Sequence, residues 1–342
     1  MSGGMPTITS KKPEISARIT SPRDRLPVVL WAAAAILTAA AACLRPAALP
    51  SAAQATLEPF VMLAAIIASS VVADRLGLFR VLAGLLIRDR APRVVAAASV
   101  LTFTALVSGL VNLDVAVVVA MPVALQAARQ HRIYAGRLAV AVAITANAAS
   151  FLLPTSNITS LLLLGHVPLS PLAYVRGSWL AWLLVVAVTV GSLSRWLAVV
   201  APGPEVRAAQ ARPSVRAALD LIPMFAAATA IRALLAAGLA LRGGMAVQLV
   251  SGSALAATLN NLPAAAVLRP AGTAGLWAAV LATAIGPCLL LTGSVATLIC
   301  RRIARDAGAT LRARQYTAIG ALLVPAQLAA AIIGLHLTGA LP

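Results

Sequence analysis

Six apolar runs, at 27–44, 57–73, 138–165, 178–200, 218–241 and 317–341, decide what this chain can fold into. Each approaches or exceeds the roughly 20 residues that cross about 30 Å of hydrocarbon as a helix. A water-soluble protein of 342 residues could bury one or two such runs, but not six. Composition agrees, with 61% hydrophobic residues, 11% charged residues and a mean hydropathy of +0.95. The expected fold class is therefore an all-α polytopic membrane protein, because an open sheet edge in lipid leaves backbone groups unpaired.

A net charge of +18 raises nucleic acid as a partner, but the distribution of that charge argues against it. Aromatics are only 4%, and the basic residues sit at the ends of apolar runs, the pattern of a chain oriented in lipid. The N-terminal tail, 74–93, 129–137, 195–216 and 301–314 carry five, five, three, four and five Lys or Arg. The loops between them carry four (Arg45, Arg176, Arg242 and Arg269), and Arg232 falls inside a run. Dense loops stay in the cytoplasm. This predicts a multi-pass protein of the cell (plasma) membrane, an inner membrane in bacterial terms, with its N-terminus inside and its C-terminus outside.

The expected organisation follows. Residues 1–26 form a disordered basic cytoplasmic tail and 27–44 the first transmembrane helix. The alternative for 27–44, a signal peptide ending in a lipidated Cys43, has an overlong basic region. Residues 55–200 form a first repeat, 201–217 a cytoplasmic linker and 218–342 a second repeat. The segment 76–87, with Arg75, Arg80 and Arg88, reads as an interfacial helix.

Two segments do not fit simple crossings. Residues 94–128 are two apolar arms between basic loops, joined only by Asn112, Leu113 and Asp114, and read as a re-entrant hairpin. Residues 246–268 flank Asn260 and Asn261 and form its counterpart from the other side. A shift of 148 lays Asn112 on Asn260; a shift of 137 lays Thr155 on Thr292, Asn157 on Ser294 and Ser160 on Thr297. Each half then holds a span, a hairpin, a broken helix and a closing span in opposite orientations, as inverted-repeat transporters do.

The breaks carry the chemistry. The run 138–165 is longer than one crossing and holds Pro154, Thr155, Ser156 and Asn157 in its interior. Proline removes a backbone donor, so the helix should break near 155–157. The half-helix that follows presents free N–H groups to an anion or polar solute. Ser156, Asn157, Thr159 and Ser160 add hydroxyl and amide contacts. The matching break, within 274–300, centres on Thr292 and Ser294, with Gly286, Pro287 and Gly293 nearby.

At these residues the sequence resembles the ArsB-like arsenical-pump membrane proteins and the wider ion transporter superfamily, which includes dicarboxylate and citrate permeases and NhaD-type antiporters. The matching stretches are ADRLGLFRVLA (73–83), VNLDVAVVVAMPVAL (111–125), ANAASFLLPTSNITSLL (146–162), LNNLPAAAV (259–267) and GPCLLLTGSVATLI (286–299). The resemblance covers about residue 55 onward. TSNIT is similar to the superfamily's Ser-Asn-Thr binding element, and GSVAT to the Gly-Ser-Leu-Ala-Thr of arsenite permeases. It implies binding roles for Ser156, Asn157, Thr159, Ser294 and Thr297, and tip roles for Asn112, Asp114, Asn260 and Asn261. Thr155 and Thr292 complete the candidate set. At 342 residues the chain is short for that superfamily in scaffold or oligomerisation helices; a homodimer is a candidate assembly.

The implied activity is alternating-access secondary transport: proton-coupled efflux of arsenite, antimonite or a similar small oxyacid. The alternative is a Na⁺- or H⁺-coupled dicarboxylate or citrate permease. Asp114 is the carboxylate expected at membrane depth, for proton coupling, capping of the hairpin's second helix, or Na⁺ ligation. Arg232 would pair with Asp114, attract an anion, or snorkel. Asn147 and Ser150 line the pocket or join helices, and Cys288 contacts arsenic or simply packs. With Arg232 the one cation at depth, a neutral oxyacid is slightly favoured. No cofactor or metal is expected, since His131, His166, His336 and the cysteines lack ligand spacing. The chain has no nucleotide-binding loop, so ATP would need a separate ATPase subunit. An enzyme is not expected, for want of an acid–base constellation at depth.

Overall fold

The computed structural model describes residues 26–341 except 79–80, 82–83, 86–89, 200–220 and 236–237. The tail, the linker 201–217 and much of the expected interfacial helix at 76–87 lie outside the described residues. Among the described residues the chain is helical, with one isolated parallel bridge between Leu239 and Leu268. Five helices are long and apolar enough to cross a membrane, or up to six if the bent pair Val28–Leu44 and Pro46–Leu57 is one span. This is an all-α polytopic membrane protein.

In chain order the helices are α1 (Leu26–Leu44), α2 (Leu49–Arg75), α3 (Arg93–Leu110), α4 (Leu113–Gln130), α5 (Ala135–Ala148), α6 (Ile158–Leu164) and α7 (Pro171–Val199). They continue as α8 (Leu221–Leu234), α9 (Met245–Leu259), α10 (Asn261–Val267), α11 (Gly272–Ile285), α12 (Val295–Asp306) and α13 (Ala313–Leu337).

The centre is set by composition. α5 is apolar or small all round, and every residue but Arg137 is buried. α11 is likewise buried from Gly275 to Ile285. A helix apolar on all faces belongs inside a bundle, and its small residues let neighbours approach closely. α3 to α7 and α9 to α13 close around this pair in one continuous core. At Gly334 of α13 a Cβ would overlap the backbone of Ala181 in α7, so those long helices touch backbone to backbone. α1, α2 and α8 pack on one another through an alanine seam of Ala41, Ala52, Ala230 and Ala233, and this group lies beside the body.

The boundaries depart from the apolar runs in four places. The helix before the first break ends at Ala148, well before Pro154, which instead opens a 3₁₀ turn, Pro154–Ser156. α7 begins at Pro171, so Arg176 lies in its first turns rather than in a loop. α12 carries Arg301, Arg302 and Arg305 on its last turns, with Arg302 3.5 Å from Asp306 one turn on. α8 stops at Leu234, where the run to 241 predicted continued helix. Gly238 and Gly243 take positive φ, and the strand-like Leu239 exchanges hydrogen bonds with Val267 and Arg269. Arg232 therefore lies in a last helical turn rather than at mid-span.

Candidate functional site

Four helices begin at one small cavity. Leu113 and Asp114 from the start of α4, and Asn157, Ile158 and Thr159 from the start of α6, form one side of its wall. Asn261 and Leu262 of α10, with Ser294 and Val295 of α12, form the other. Both hairpin tips and both helix breaks are thus brought together. The cavity is about 20 Å³, room for about one water molecule.

Local sequence explains why each helix begins there. Asn112 is extended, and its Oδ1 accepts from the Asp114 N–H at 2.9 Å, capping α4. The capping role thus belongs to Asn112 rather than Asp114. Asn157 caps α6 in the same way, accepting from the Thr159 N–H at 3.1 Å. Asn260 caps α10 through the Leu262 N–H at 3.3 Å. Ser294 precedes α12 in the same extended conformation, φ −146° and ψ 144°, beside φ −146° and ψ 130° at Asn157. Its side chain makes no capping bond.

The two halves match beyond their caps. α5 and α11 share bounds at an offset of 137 residues, as do the starts of α6 and α12. Asn112 Nδ2 donates to the Thr155 carbonyl at 3.4 Å, and Asn260 Nδ2 donates to the Thr292 carbonyl at 2.9 Å. Tip meets break through the same atoms twice. In the second half the Asn261 N–H also donates to the Gly293 carbonyl at 2.8 Å.

A broken helix leaves carbonyls without their usual donors. At the first break α7 supplies two: the Trp182 indole N–H to Ala149 at 2.8 Å and the Ser178 hydroxyl to Leu152 at 2.8 Å. At the second, α13 supplies the Tyr316 hydroxyl to Pro287 at 3.2 Å. A buried relay ties the breaks together. Asn157 Nδ2 donates to Ser150 at 2.9 Å, and the Ser150 hydroxyl donates to the Asn147 carbonyl at 2.8 Å. Asn147 Nδ2 in turn donates to Thr297 at 3.0 Å, and Thr297 lies 3.3 Å from the Tyr316 hydroxyl. Asn147, Ser150 and Tyr316 are therefore support; in sequence the first two are polar groups inside an apolar run, and Tyr316 stands just before one.

The candidates from sequence sort into three sets. Asp114, Asn157, Thr159, Asn261 and Ser294 line the cavity. Asn260 and Thr292 line a second, more apolar cavity of about 160 Å³ between α1, α8 and the second tip. Asn112, Thr155, Ser156 and Thr297 line neither. Asn112 and Thr297 hold neighbours in place, Ser156 bonds back to the Leu153 carbonyl, and Thr155 is exposed. Reading missed Leu113, Ile158, Leu262 and Val295, the apolar first-turn residues that close the wall.

Two hydroxyls in the wall, on Thr159 and Ser294, are buried without a hydrogen-bond partner. Such groups cost free energy unless something comes to meet them. Each converging N-terminus adds about half a positive charge. Against these stands the Asp114 carboxylate, 7% exposed. Cys288 is not in the wall; it is fully buried, with its thiol toward the Ile144 carbonyl at 3.6 Å. Arg232 is in neither wall. Partial burial, with Arg269 and Arg232 nearby, holds His166 below the usual imidazole range. Arg269 donates to the Ala266 and Leu268 carbonyls at 3.0 and 3.1 Å, closing the end of α10.

No protein-family model matches the chain, and no curated protein is similar enough to stand as a relative.

Proposed function

We propose that the chain is a secondary active transporter that works by alternating access and moves a small oxygen acid, with arsenite and antimonite the first candidates for efflux. The observation that carries this reading is the convergence of both tips and both breaks on one cavity with two unpartnered hydroxyls. Preorganised N–H groups and hydroxyls suit an oxygen-rich solute. The matching offsets and the repeated Asn-to-carbonyl contacts support two inverted repeats over 55–200 and 218–342, with α3 to α7 in the first and α9 to α13 in the second. α5 and α11 have 14 residues each, about 21 Å. A break at that depth from either face lies inside the bilayer, where transporters of this plan bind substrate.

Closure to the volume of one water fits an arrangement that shuts on itself between loading and release. Asp114 is the coupling group of this proposal, a carboxylate in the wall able to trade a proton for substrate. Kinship with the arsenite branch of the ion transporter superfamily, an inner-membrane location and an inside N-terminus belong to the same reading.

A second reading, carboxylate transport on the same scaffold, is favoured by one observation. Four N-termini supply positive potential that no basic side chain in the wall provides. That removes the argument for a neutral solute.

The test is arsenite accumulation in cells lacking their own efflux pumps, with and without the protein, alongside Asn157→Ala. Lower accumulation that the variant abolishes supports arsenite efflux through this site. Unchanged accumulation, with the protein in the membrane, rejects arsenite and leaves carboxylate transport.

A further inference from the structure

The second cavity has a position and a lining that neither reading uses. It is about 160 Å³, near the roughly 150 Å³ at which an apolar protein cavity accepts a benzene ring. Leu30 and Leu37 of α1 face Met224 and Ile231 of α8 across it. Ala33 and Thr258 in its lining are exposed, so it opens to the surface, and filling it restores contacts that its walls lack. Part of its lining is different in kind: Asn260 and Thr292, a tip and a break residue, stand in the wall with Thr258. Leu262 and Val295 belong to the walls of both cavities. These two apolar side chains are therefore the partition between a polar chamber and an apolar one. A lipid tail would account for the apolar walls but has no use for Asn260 and Thr292 among them, or for the polar chamber behind Leu262 and Val295.

We infer that the substrate is a small organic anion with an apolar arm, its carboxylate or similar oxyanion head in the polar cavity and an arm the size of a phenyl ring or short branched chain in the cavity beside it. The inference rests on the polar cavity being the binding site proposed above, and it deepens the carboxylate reading. Head and arm are recognised by different elements. The tips and breaks hold the charge, while α1 and α8, which carry neither a tip nor a break, select the arm. Leu262 and Val295 must turn aside for both ends to be seated at once, which links loading to movement of the second tip.

Equilibrium binding of radiolabelled acetate and benzoate to the full-length protein in nanodiscs tests this, with empty nanodiscs subtracted. Benzoate is expected to bind at least about tenfold more tightly than acetate, from burial of its ring. Ala227→Phe, which fills the cavity from α8, should remove that advantage and leave acetate binding as it was. Ala33→Leu does the same from α1 should the first variant misfold. Ser294→Ala should weaken both ligands. Equal affinity for the two acids, both sensitive to Ser294→Ala, overturns the arm and keeps the site. Benzoate binding sensitive to Ala227→Phe but not to Ser294→Ala overturns the joined site and makes the cavity a place for a lipid tail. Binding of neither acid overturns the inference together with the carboxylate reading, while arsenite efflux in cells is decided separately.

Discussion

Ser294 and Thr297 stand on the same helix end and should behave oppositely. The Ser294 hydroxyl has no partner in the fold, so Ser294→Ala removes a buried group that nothing inside satisfies. Thermal unfolding in micelles should show no loss of stability, while substrate affinity falls about tenfold or more, the worth of one hydrogen bond to a charged group. Thr297 is tied to both Asn147 and Tyr316. Thr297→Val leaves two buried groups short and should cost about 1–3 kcal/mol of stability. If both variants unfold alike, the free hydroxyl is not reserved for a ligand. Asn260 makes a third case. At φ +80° and ψ 148° it holds a backbone conformation that side chains avoid. Asn260→Gly relieves that strain while losing the cap, whereas Asn260→Ala loses the cap and keeps the strain. Glycine should be the more stable of the two by about 1 kcal/mol or more, and the reverse order by chemical denaturation would reject the strained geometry. Asp114→Asn mimics the protonated acid. In proteoliposomes it should retain substrate exchange and lose the response to an imposed pH gradient.

Among elements, the caps were the most legible part of the sequence. Asn112, Asn157 and Asn260 are short polar residues in apolar surroundings, and each proves to be the residue before a helix start. The offsets of 137 and 148 could be read for the same reason, because a cap fixes register. The first break was misplaced toward Pro154 because proline is the visible breaker. The helix ends at Ala148 because α7 reaches across to satisfy the freed carbonyls, and such long-range donors leave no local signal. The early end of α8 is hidden similarly, since Leu239 pairs with Val267 and Arg269, at and just past the end of α10. The cavity's apolar first-turn residues were illegible as well, because nothing separates Ile158 or Val295 from lipid-facing neighbours until the tips close over them. Trp182 gives this scale its prediction. Its indole N–H is the donor for the Ala149 carbonyl, and Gly109 leaves the space its ring occupies. Trp182→Phe keeps most of the ring and deletes the bond. It should cost about 1–3 kcal/mol in unfolding experiments and loosen the break, with weaker substrate binding as the sign that the break positions the site.

At the scale of the molecule, two populations of helix divide the work. The core helices hold both breaks, while α1, α2 and α8 are joined to one another by an alanine seam, and α1 and α8 meet the core around the larger cavity. Orientation then decides which face of the cavity opens where, and charge decides orientation. The extension of α12 to Asp306 carries Arg301, Arg302 and Arg305 on a helix end rather than in a free loop, but the same end of the chain segment keeps its positive charge. α3 and α4, 18 residues each, are long enough to cross. Whether they cross as a pair or turn back inside, the chain returns to the face it left, so the sidedness of everything downstream is unchanged. The prediction is therefore independent of that choice. Alkaline phosphatase fused after Leu341 should be active, as an enzyme that matures outside the cell. Green fluorescent protein inserted between residues 201 and 217 should fluoresce, as one that matures inside. Inactive phosphatase at the C-terminus would mean that one of the helices taken as a crossing does not cross. The lightly charged α8, whose 14 described residues are short for a full span, would be the first to re-examine.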